Sequence, residues 1–280
     1  MTTVVLRRGG LGDTLLMLPV LRALRAEQPG SALHLAGVRE FADVLAAFGA
    51  ADRALSSEDL ALWSPDAARA RLRGCARLVA DDPAVVAAAP AGARVQVFDV
   101  QVRGEEPFGL QLARRLGLLP RWPDDAWLVP PSPRAAGGMV VLAPGSGGRA
   151  KCWPRECWQQ LGAALAAGGR SLAVVVGPAE EERDDPRRWP WPAGTTFLAG
   201  LSPVALARAV QGAGRFVGND SGPTHLAAML GVPTIAIFGA TDPRVWAPVG
   251  EHVRVVGGSG CAIEGIAVGE VAPAVLGDSR

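Results

Sequence analysis

Residues 4–24 read VVLRRGGLGDTLLMLPVLRAL, and this stretch indicates the class of fold. The apolar run at residues 4–7 has the length and composition of a buried strand. Glycines follow it, and leucines then recur at positions 15, 18, 21 and 24, along one side of a helix. The same alternation predicts further strands at 33–36, 77–80 and 94–98, with helices at 41–48 and 67–73. Alternating strands and helices predict a parallel sheet covered by helices.

The second half of the chain repeats this rhythm after a proline-rich stretch. Strands are predicted at 140–143, 172–176, 216–217 and 234–238, and helices at 154–167, 203–211, 223–230 and 268–276. The sequence Pro130-Pro131-Ser132-Pro133, followed by Gly137-Gly138, has the composition of a linker. We therefore predict two α/β domains, residues 1–133 and 134–280. A ligand is expected in the cleft between them.

Composition excludes several classes of function. The net charge of +1 and the pI of about 7.7 give no overall field that attracts nucleic acid or an anionic membrane. The four cysteines form no CxxC pair and no cluster with histidine, which argues against structural zinc and fits a reducing compartment. No apolar run approaches the roughly 18 residues of a membrane span. The composition predicts a cytoplasmic protein with no nucleic-acid partner and no stable membrane insertion.

The glycine-rich turn at residues 9–13 (GGLGD) precedes the first predicted helix. Its glycines allow a sharp turn, and the start of the helix offers free N–H groups to a ligand. The turn is not a GxGxxG motif, which disfavours a nicotinamide-dependent enzyme. Asp13 has two interpretations, because aspartate is a preferred helix N-cap and also a common general base. The spacing alone favours the cap.

A second glycine-rich loop, APGSGGRAKCWP, occupies residues 143–154. Small residues expose backbone N–H groups, and the Lys151 ammonium is a compact charge for phosphate oxygens. The loop lacks the GxxxxGK[ST] pattern of a Walker A motif. Lys151 is the only lysine beside 27 arginines. We therefore interpret it as a phosphate contact rather than as an ordinary surface lysine.

A third motif, GNDSGPTH at residues 218–225, ends one predicted strand and begins a helix. Polar groups at the carboxyl end of a parallel strand, followed by a helix N-terminus, often form a ligand site. Two simpler alternatives remain at this point. Asp220 or Ser221 can cap the helix, and His225 can be a helix residue with an ordinary packing role.

Together the three motifs resemble glycosyltransferase family 9, the lipopolysaccharide heptosyltransferases. The family pattern combines GxLGD and a leucine-rich helix with PGS…K.WP and GNDSGP.HLAA.LG.P. This chain has GGLGDTLLMLPVLRALR, PGSGGRAKCWP and GNDSGPTHLAAMLGVP, and its IFGATDPRVWAPVG is similar to the family's FG.TDP..W.P.G. The resemblance spans the first fifth of the chain and most of the C-terminal half.

The resemblance implies a GT-B fold, with two Rossmann-like domains facing across a cleft. It also implies inverting transfer of heptose from ADP-heptose to a lipopolysaccharide-type or other glycan or lipid-linked acceptor. Asp13 then becomes the general base, which replaces the capping interpretation. Lys151 is expected to be both a donor ligand and catalytic, because it meets the charge of the leaving diphosphate. The other implied donor-site residues are Gly12, Ser146, Gly147, Glu181, Leu201, Asp220, Ser221, Gly222 and His225.

The chain contains no Asp-x-Asp pair to bridge a metal and a diphosphate, so neither a metal nor a cofactor is expected. The protein is expected in the cytoplasm, free or peripheral at the inner face of the membrane. The segment at residues 78–83 (LVADDP) is shorter than its counterpart in the family, which leaves the identity of the acceptor open. The alternative hypothesis is a non-catalytic nucleotide-sugar-binding or assembly protein derived from the family.

Overall fold

The computed structural model describes residues 1–60, 62–132 and 138–277. The chain divides into two compact units, Met1–Leu128 and Val129–Arg280. The domain boundary predicted between residues 133 and 134 lies outside the described residues, as do residues 133–137 of the predicted linker. Each unit is a parallel sheet with helical connections, which is the layered arrangement expected from alternating strands and helices.

The first unit contains a five-stranded sheet in the order β3-β2-β1-β4-β5. Its elements are β1 (Thr2–Leu6), α1 (Leu11–Leu15), α2 (Leu18–Glu27), β2 (Ala32–Gly37), α3 (Arg39–Ala47), β3 (Arg53–Ser56), α4 (Pro65–Arg71), β4 (Cys75–Ala80), α5 (Val85–Ala88), β5 (Arg94–Val97) and α6 (Phe108–Arg115). The chain runs from β1 towards β3 on one side and from β4 towards β5 on the other. The strand order therefore reverses between β1 and β4, where the following loops separate and leave room for polar side chains.

One prediction for this unit needs correction. The predicted continuous helix through positions 15–24 is divided into α1 and α2, because Pro19 has no N–H to continue the helical hydrogen bonds and stands in the first turn of α2. Elsewhere in this unit, Arg77 lies in β4, where its buried guanidinium pairs with Glu27 at 2.7 Å.

The second unit contains a six-stranded sheet in the order β11-β10-β9-β6-β7-β8. Its elements are β6 (Val140–Ala143), α7 (Arg155–Ala167), β7 (Leu172–Val176), α8 (Pro178–Arg183), β8 (Thr196–Ala199), α9 (Pro203–Gln211), β9 (Arg215–Asn219), α10 (Gly222–Met229), β10 (Thr234–Phe238), α11 (Pro243–Trp246), β11 (Val253–Gly257) and α12 (Val268–Leu276). Here the strand order reverses between β6 and β9, so the second and third motifs follow adjacent strands.

The core of the second unit fixes the loop that follows β6. Trp153, at the end of that loop, and Trp158, on α7, are fully buried, and their rings meet edge to face with centroids 5.2 Å apart. The Trp153 indole donates a hydrogen bond to the carbonyl of Ile266 at 2.9 Å. A buried aromatic with a satisfied polar end is a strong anchor for an otherwise glycine-rich segment. These tryptophans therefore serve packing.

Candidate functional site

Asn219 at the end of β9 joins both ends of the loop after β6. Its side chain is completely buried. The amide nitrogen Nδ2 donates to the carbonyl of Pro144 at 2.7 Å, and the amide oxygen Oδ1 accepts the backbone N–H of Trp153 at 3.2 Å. One side chain thus forms hydrogen bonds to both ends of the loop. Asn219 was not among the predicted site residues, although it stands within the third motif.

Lys151 and Asp220 form an ion pair at the edge where β6 and β9 end. The Lys151 ammonium nitrogen lies 2.7 Å from Asp220 Oδ2, and the hydroxyl of Thr241 donates to the same oxygen at 2.6 Å. The Asp220 side chain is only 9% exposed, whereas that of Lys151 is 37% exposed. An ammonium has three N–H donors, so Lys151 keeps donors for a second partner. Sequence reasoning missed Thr241, which is far from Asp220 along the chain.

Ser146 is brought to the same place but in a different role. The residue is buried, and its hydroxyl donates to the backbone carbonyl of Asp220 at 2.7 Å. Arg183, at the end of α8, donates to the carbonyls of Ser146 and Gly147, both at 3.2 Å. With these carbonyls held by protein groups, Ser146 and Gly147 have a fixed backbone orientation. Arg183 was also missed, because its partners are backbone atoms that no motif reveals.

The remaining residues of the third motif surround the start of α10. Gly222 is the first residue of the helix, and Ser221 precedes it, with its hydroxyl 3.1 Å from that of Thr224. His225 is buried within the helix. Gly218 is required by packing, because an added Cβ at this position is placed 2.3 Å from the Thr224 hydroxyl oxygen. The structure therefore brings the start of α10 to the edge that carries Asp220, where the positive end of the helix dipole favours an anion.

The structure distinguishes Glu180 from Glu181 among the three glutamates that follow β7. Glu180 accepts the backbone N–H of Gly177 at 2.8 Å, and its carboxylate lies directly over Gly145, where an added Cβ is placed 1.8 Å from Oε1. Glu181 instead pairs with Arg187 at 3.0 Å. The donor role expected for Glu181 stays a prediction. Because the Glu180 carboxylate lies against the loop after β6, Glu180 is better placed than Glu181 to contact a donor bound at that loop.

A cavity of about 340 Å³ opens beside the loop after β6. Its lining includes Gly145, Ser146, Arg149, Cys152, Glu180, Arg183 and Trp189. Burial is the main cause that raises the pKa of the Cys152 thiol above its ordinary value. The thiol therefore stays protonated at neutral pH, which is unsuited to a nucleophile. The other lining residues offer cationic, carboxylate and aromatic groups to a ligand.

The candidate residues of this unit stand in the segments that follow the carboxyl ends of five neighbouring strands. In the order β10-β9-β6-β7-β8, these segments contain Thr241, Asp220, Lys151, Glu180 and Leu201. Leu201, in the turn after β8, is 41% exposed. Neighbouring strands are about 4.8 Å apart, so the row of strand ends from β9 to β8 is about 14 Å long. This edge therefore has the length and groups to hold an elongated anionic ligand.

The reversal point of the first unit carries an acidic network. Asp13 is the third residue of α1, and Gly10 is the cap residue, so the interpretation of Asp13 as the N-cap is wrong. Asp13 Oδ2 accepts the N–H of Gly10 at 3.0 Å, and Oδ1 pairs with Arg7 at 2.7 Å. Arg7 also pairs with Asp81 at 2.9 Å. The Asp13 side chain is 38% exposed, so its carboxylate remains accessible from solvent.

The outermost part of this network joins the same two strand ends. Arg8 NH1 lies 3.0 Å from Asp82 Oδ2, and the Arg8 side chain is 57% exposed. Gly12 lies within α1, next to Asp13, and its carbonyl accepts the N–H of Leu16 at 3.0 Å. Its expected contact with the donor stays a prediction. Sequence reasoning singled out neither Arg7 nor Arg8 as a functional residue.

Within residues 1–60, 62–132 and 138–277, no helix has the length and hydropathy needed to cross a membrane. Among the same residues, no group of three or more His, Cys, Asp or Glu side chains is arranged to hold a metal ion.

The family model for glycosyltransferase family 9 (heptosyltransferase) matches residues 110–264, which is more than half of the chain. The chain belongs to glycosyltransferase family 9. It is 31% identical over 118 residues to lipopolysaccharide heptosyltransferase 3 of Escherichia coli K12, covering 41% of this chain and 34% of that protein. It is 32% identical over 123 residues to lipopolysaccharide heptosyltransferase 1 of the same strain, covering 44% and 39%. The aligned part thus spans only about a third of each of these relatives.

Family 9 structures share the fold along nearly the whole chain. The E. coli heptosyltransferase WaaC with ADP has a TM-score of 0.75 at 20% identity, covering 98% of this chain and 99% of that one. The family 9 glycosyl transferase from Veillonella parvula has a TM-score of 0.77 at 16% identity, covering 98% and 96%. These similarities confirm the predicted GT-B fold, here as parallel sheets of five and six strands.

Proposed function

We propose that this protein is an inverting, metal-independent glycosyltransferase that transfers heptose from ADP-heptose to a glycan or lipid-linked acceptor. The observation that carries the proposal is the Lys151 ammonium, held beside Asp220 at the reversal point of a parallel sheet. The loop around it is anchored at both ends by Asn219. A preorganised cation among exposed amide groups suits a diphosphate, whose charge increases as the glycosidic bond breaks.

The donor is proposed to bind along the row of strand ends. Its diphosphate contacts Lys151 and the amide groups of Gly147 and Gly222, next to the start of α10. The ribose hydroxyls contact a carboxylate after β7, for which Glu180 is better placed than Glu181. The base then reaches the turn after β8. Adenine as the base, and heptose as the sugar, are supported by a related structure described as E. coli heptosyltransferase WaaC with ADP-2-deoxy-2-fluoro heptose.

In the proposed donor site, Asp220, Ser221 and His225 serve the sugar end. The Asp220 carboxylate is held by the ion pair with Lys151 and by the hydrogen bond from the Thr241 hydroxyl, so its position beside the diphosphate is fixed. Ser146 contributes mainly through its position, because its hydroxyl proton is directed to the carbonyl of Asp220. Its hydroxyl oxygen retains acceptor capacity.

The proposed chemical step is a single displacement at the anomeric carbon. The acceptor hydroxyl oxygen forms the new bond to this carbon while the carbon–oxygen bond to the diphosphate breaks, and the electron pair leaves with ADP. Asp13 takes the hydroxyl proton as general base. Lys151 and the amide groups stabilise the charge that collects on the leaving ADP. Because this positive charge comes from the chain itself, the step is proposed to need no metal.

The proposal is tested by turnover with a panel of nucleotide sugars, measured as release of nucleoside diphosphate and as transfer to a glycan acceptor. ADP-heptose should be consumed, with ADP as the product, and UDP- and GDP-sugars should be poor donors. Turnover with a different nucleotide sugar would show that the donor is not ADP-heptose, while the protein would still be a glycosyltransferase. Tight ADP binding with no turnover on any donor, including hydrolysis, would instead favour the non-catalytic alternative.

A further inference from the structure

Arg7 occupies a central position in the acidic network of the first unit. It follows β1 directly, and its side chain is only 7% exposed. One terminal nitrogen donates to Asp13 Oδ1 at 2.7 Å, and the other donates to Asp81 Oδ2 at 2.9 Å. Asp81 follows β4, and its side chain is 6% exposed. One guanidinium therefore connects an accessible carboxylate to a buried one.

The backbone of the glycine-rich turn holds the same carboxylate from the other side. Asp13 Oδ2 accepts the N–H of Gly10 at 3.0 Å. Gly9 has φ +151°, and a Cβ built there lies 2.7 Å from Asp13 Cβ, so only glycine fits against this side chain. With one oxygen fixed by Arg7 and the other by the turn, the Asp13 carboxylate has a defined direction. Its remaining lone pairs are the ones available to a ligand.

The charges in this network change when Asp13 accepts a proton. Before uptake, the Arg7 guanidinium is shared by two carboxylates. After uptake, Asp13 is neutral, and a buried cation without a counter-ion is strongly disfavoured. Asp81 supplies that counter-ion in both states, because its ion pair with Arg7 does not involve Asp13. Arg7 can therefore stay in place throughout a cycle of proton uptake and release.

We propose that Arg7 and Asp81 are a positioning pair: Arg7 orients the Asp13 carboxylate towards the acceptor hydroxyl, and Asp81 retains Arg7 as Asp13 changes charge. This inference rests on the proposed function, in which Asp13 is the general base. It assigns two residues that belong to none of the three motifs that carried the sequence prediction. A purely structural role, joining the ends of β1 and β4, is the competing explanation.

The test uses Arg7→Met, Arg7→Lys and Asp81→Asn in the full chain, with ADP-heptose and a glycan acceptor. Arg7→Met should lower kcat by about a hundredfold, because small displacements of a reacting group have effects of that size. KM for the donor and the ADP-induced change in Tm should stay the same. Arg7→Lys should recover part of kcat, since an ammonium can still contact a carboxylate. Asp81→Asn should lower kcat less than Arg7→Met does.

Arg77→Met provides the matched control, because Arg77 is an equally buried arginine that pairs with Glu27 in the same unit. It should lower Tm and leave kcat unchanged. The decisive comparison is the double variant Asp13→Asn with Arg7→Met. If Arg7 acts through Asp13, the double variant should be no slower than Asp13→Asn alone.

Two results would overturn the inference while leaving the proposed function intact. The first is a kcat for Arg7→Met, Arg7→Lys and Asp81→Asn equal to that of the wild type, with Asp13→Asn inactive. The second is an independent, multiplicative loss in the double variant. Absence of turnover in the wild-type protein is a different outcome, because it removes the proposed function itself and the inference with it. Arg7→Lys and Asp81→Asn keep the test informative should Arg7→Met fail to fold.

Discussion

The two points at which strand order reverses, one in each unit, are alike in backbone and opposite in chemistry. Between β1 and β4, the loops bring together the carboxylates of Asp13 and Asp81 around Arg7. Between β6 and β9, the loops bring Lys151 and Asp220 together among glycines and the start of a helix. The first arrangement suits proton uptake, and the second suits a diphosphate. In the function proposed here, the residues that follow the strands thus give two similar topologies different roles.

Asp13→Asn should have the largest effect of the variants. It should lower the rate of transfer, which depends on the first reversal point, and should leave ADP binding at the second nearly unchanged. Loss of a general base lowers the rate by about 10²–10⁴-fold, so kcat should fall in that range. The affinity for ADP should remain within a few-fold, since Lys151, Asp220 and the other donor residues of the second unit are unchanged. Steady-state kinetics and ADP titration provide the measurement. Near-normal turnover combined with a lower Tm would show that Asp13 is only structural.

Lys151→Ala should weaken ADP binding, which Asp13→Asn should not do. A hydrogen bond to a charged group contributes about 1.5–3 kcal/mol, which corresponds to a loss of about 10–100-fold in ADP affinity. Lys151→Arg should also be impaired, because a planar guanidinium cannot occupy the position of a compact ammonium. Arg170→Ala is the control, since Arg170 lies before the amino end of β7, whereas Lys151 and Asp220 follow the carboxyl ends of their strands. Full activity of Lys151→Arg would mean that the single lysine has no special role.

In the six-stranded sheet of the second unit, burial determined which strands could be predicted. The strands β6, β7 and β10 were predicted with correct bounds, because central parallel strands are continuous apolar runs. The strands β8 and β11 were missed, because they lie at the two edges of the sheet and are partly exposed. Their sequences therefore lack the apolar signal that identified the central strands.

The sequence predicted the candidate-site residues that stand in the motifs, but not the residues elsewhere in the chain that hold them in place. Lys151 and Asp220 meet as the resemblance implied. The residues that hold the site came from elsewhere: Asp81 is 74 positions from Arg7, and nothing in the spacing reveals their pairing. The choice between Glu180 and Glu181 also needed coordinates, since adjacent residues of a helix point in different directions. Tertiary contacts of this kind leave no periodic signal in a single sequence.

Glu180→Gln and Glu181→Gln should have smaller effects on ADP binding. The two variants test which glutamate contacts the ribose. If the Glu180 carboxylate contacts the ribose, its loss should weaken ADP binding by about 2–10-fold, the range of an ordinary hydrogen bond. Glu181→Gln, which only breaks the ion pair with Arg187, should leave ADP binding unchanged. Titrations with ADP and 2′-deoxy-ADP measure both. The reverse ranking would return the ribose contact to Glu181.

Removal of divalent metal should have no effect at all on turnover. Lys151 and the backbone amides are proposed to supply the positive charge at the diphosphate, so activity should persist in saturating EDTA. Rates with and without EDTA, followed by addition of Mg²⁺ or Mn²⁺, provide the comparison. Complete loss in EDTA and recovery with either metal would show that the second reversal point needs a cation beyond Lys151.

The most direct test of the central claim is thermal unfolding with and without ADP, because the claim is that the β6–β9 edge binds a nucleoside diphosphate. A ligand at 100 times its Kd adds about 2.7 kcal/mol to the stability of the folded protein. At about 2–4 °C for each kcal/mol, ADP should raise Tm by about 5–10 °C. AMP, which lacks the second phosphate, should raise it less, and Lys151→Ala should abolish the difference between the two. An unchanged Tm with ADP, UDP and GDP alike would contradict the account.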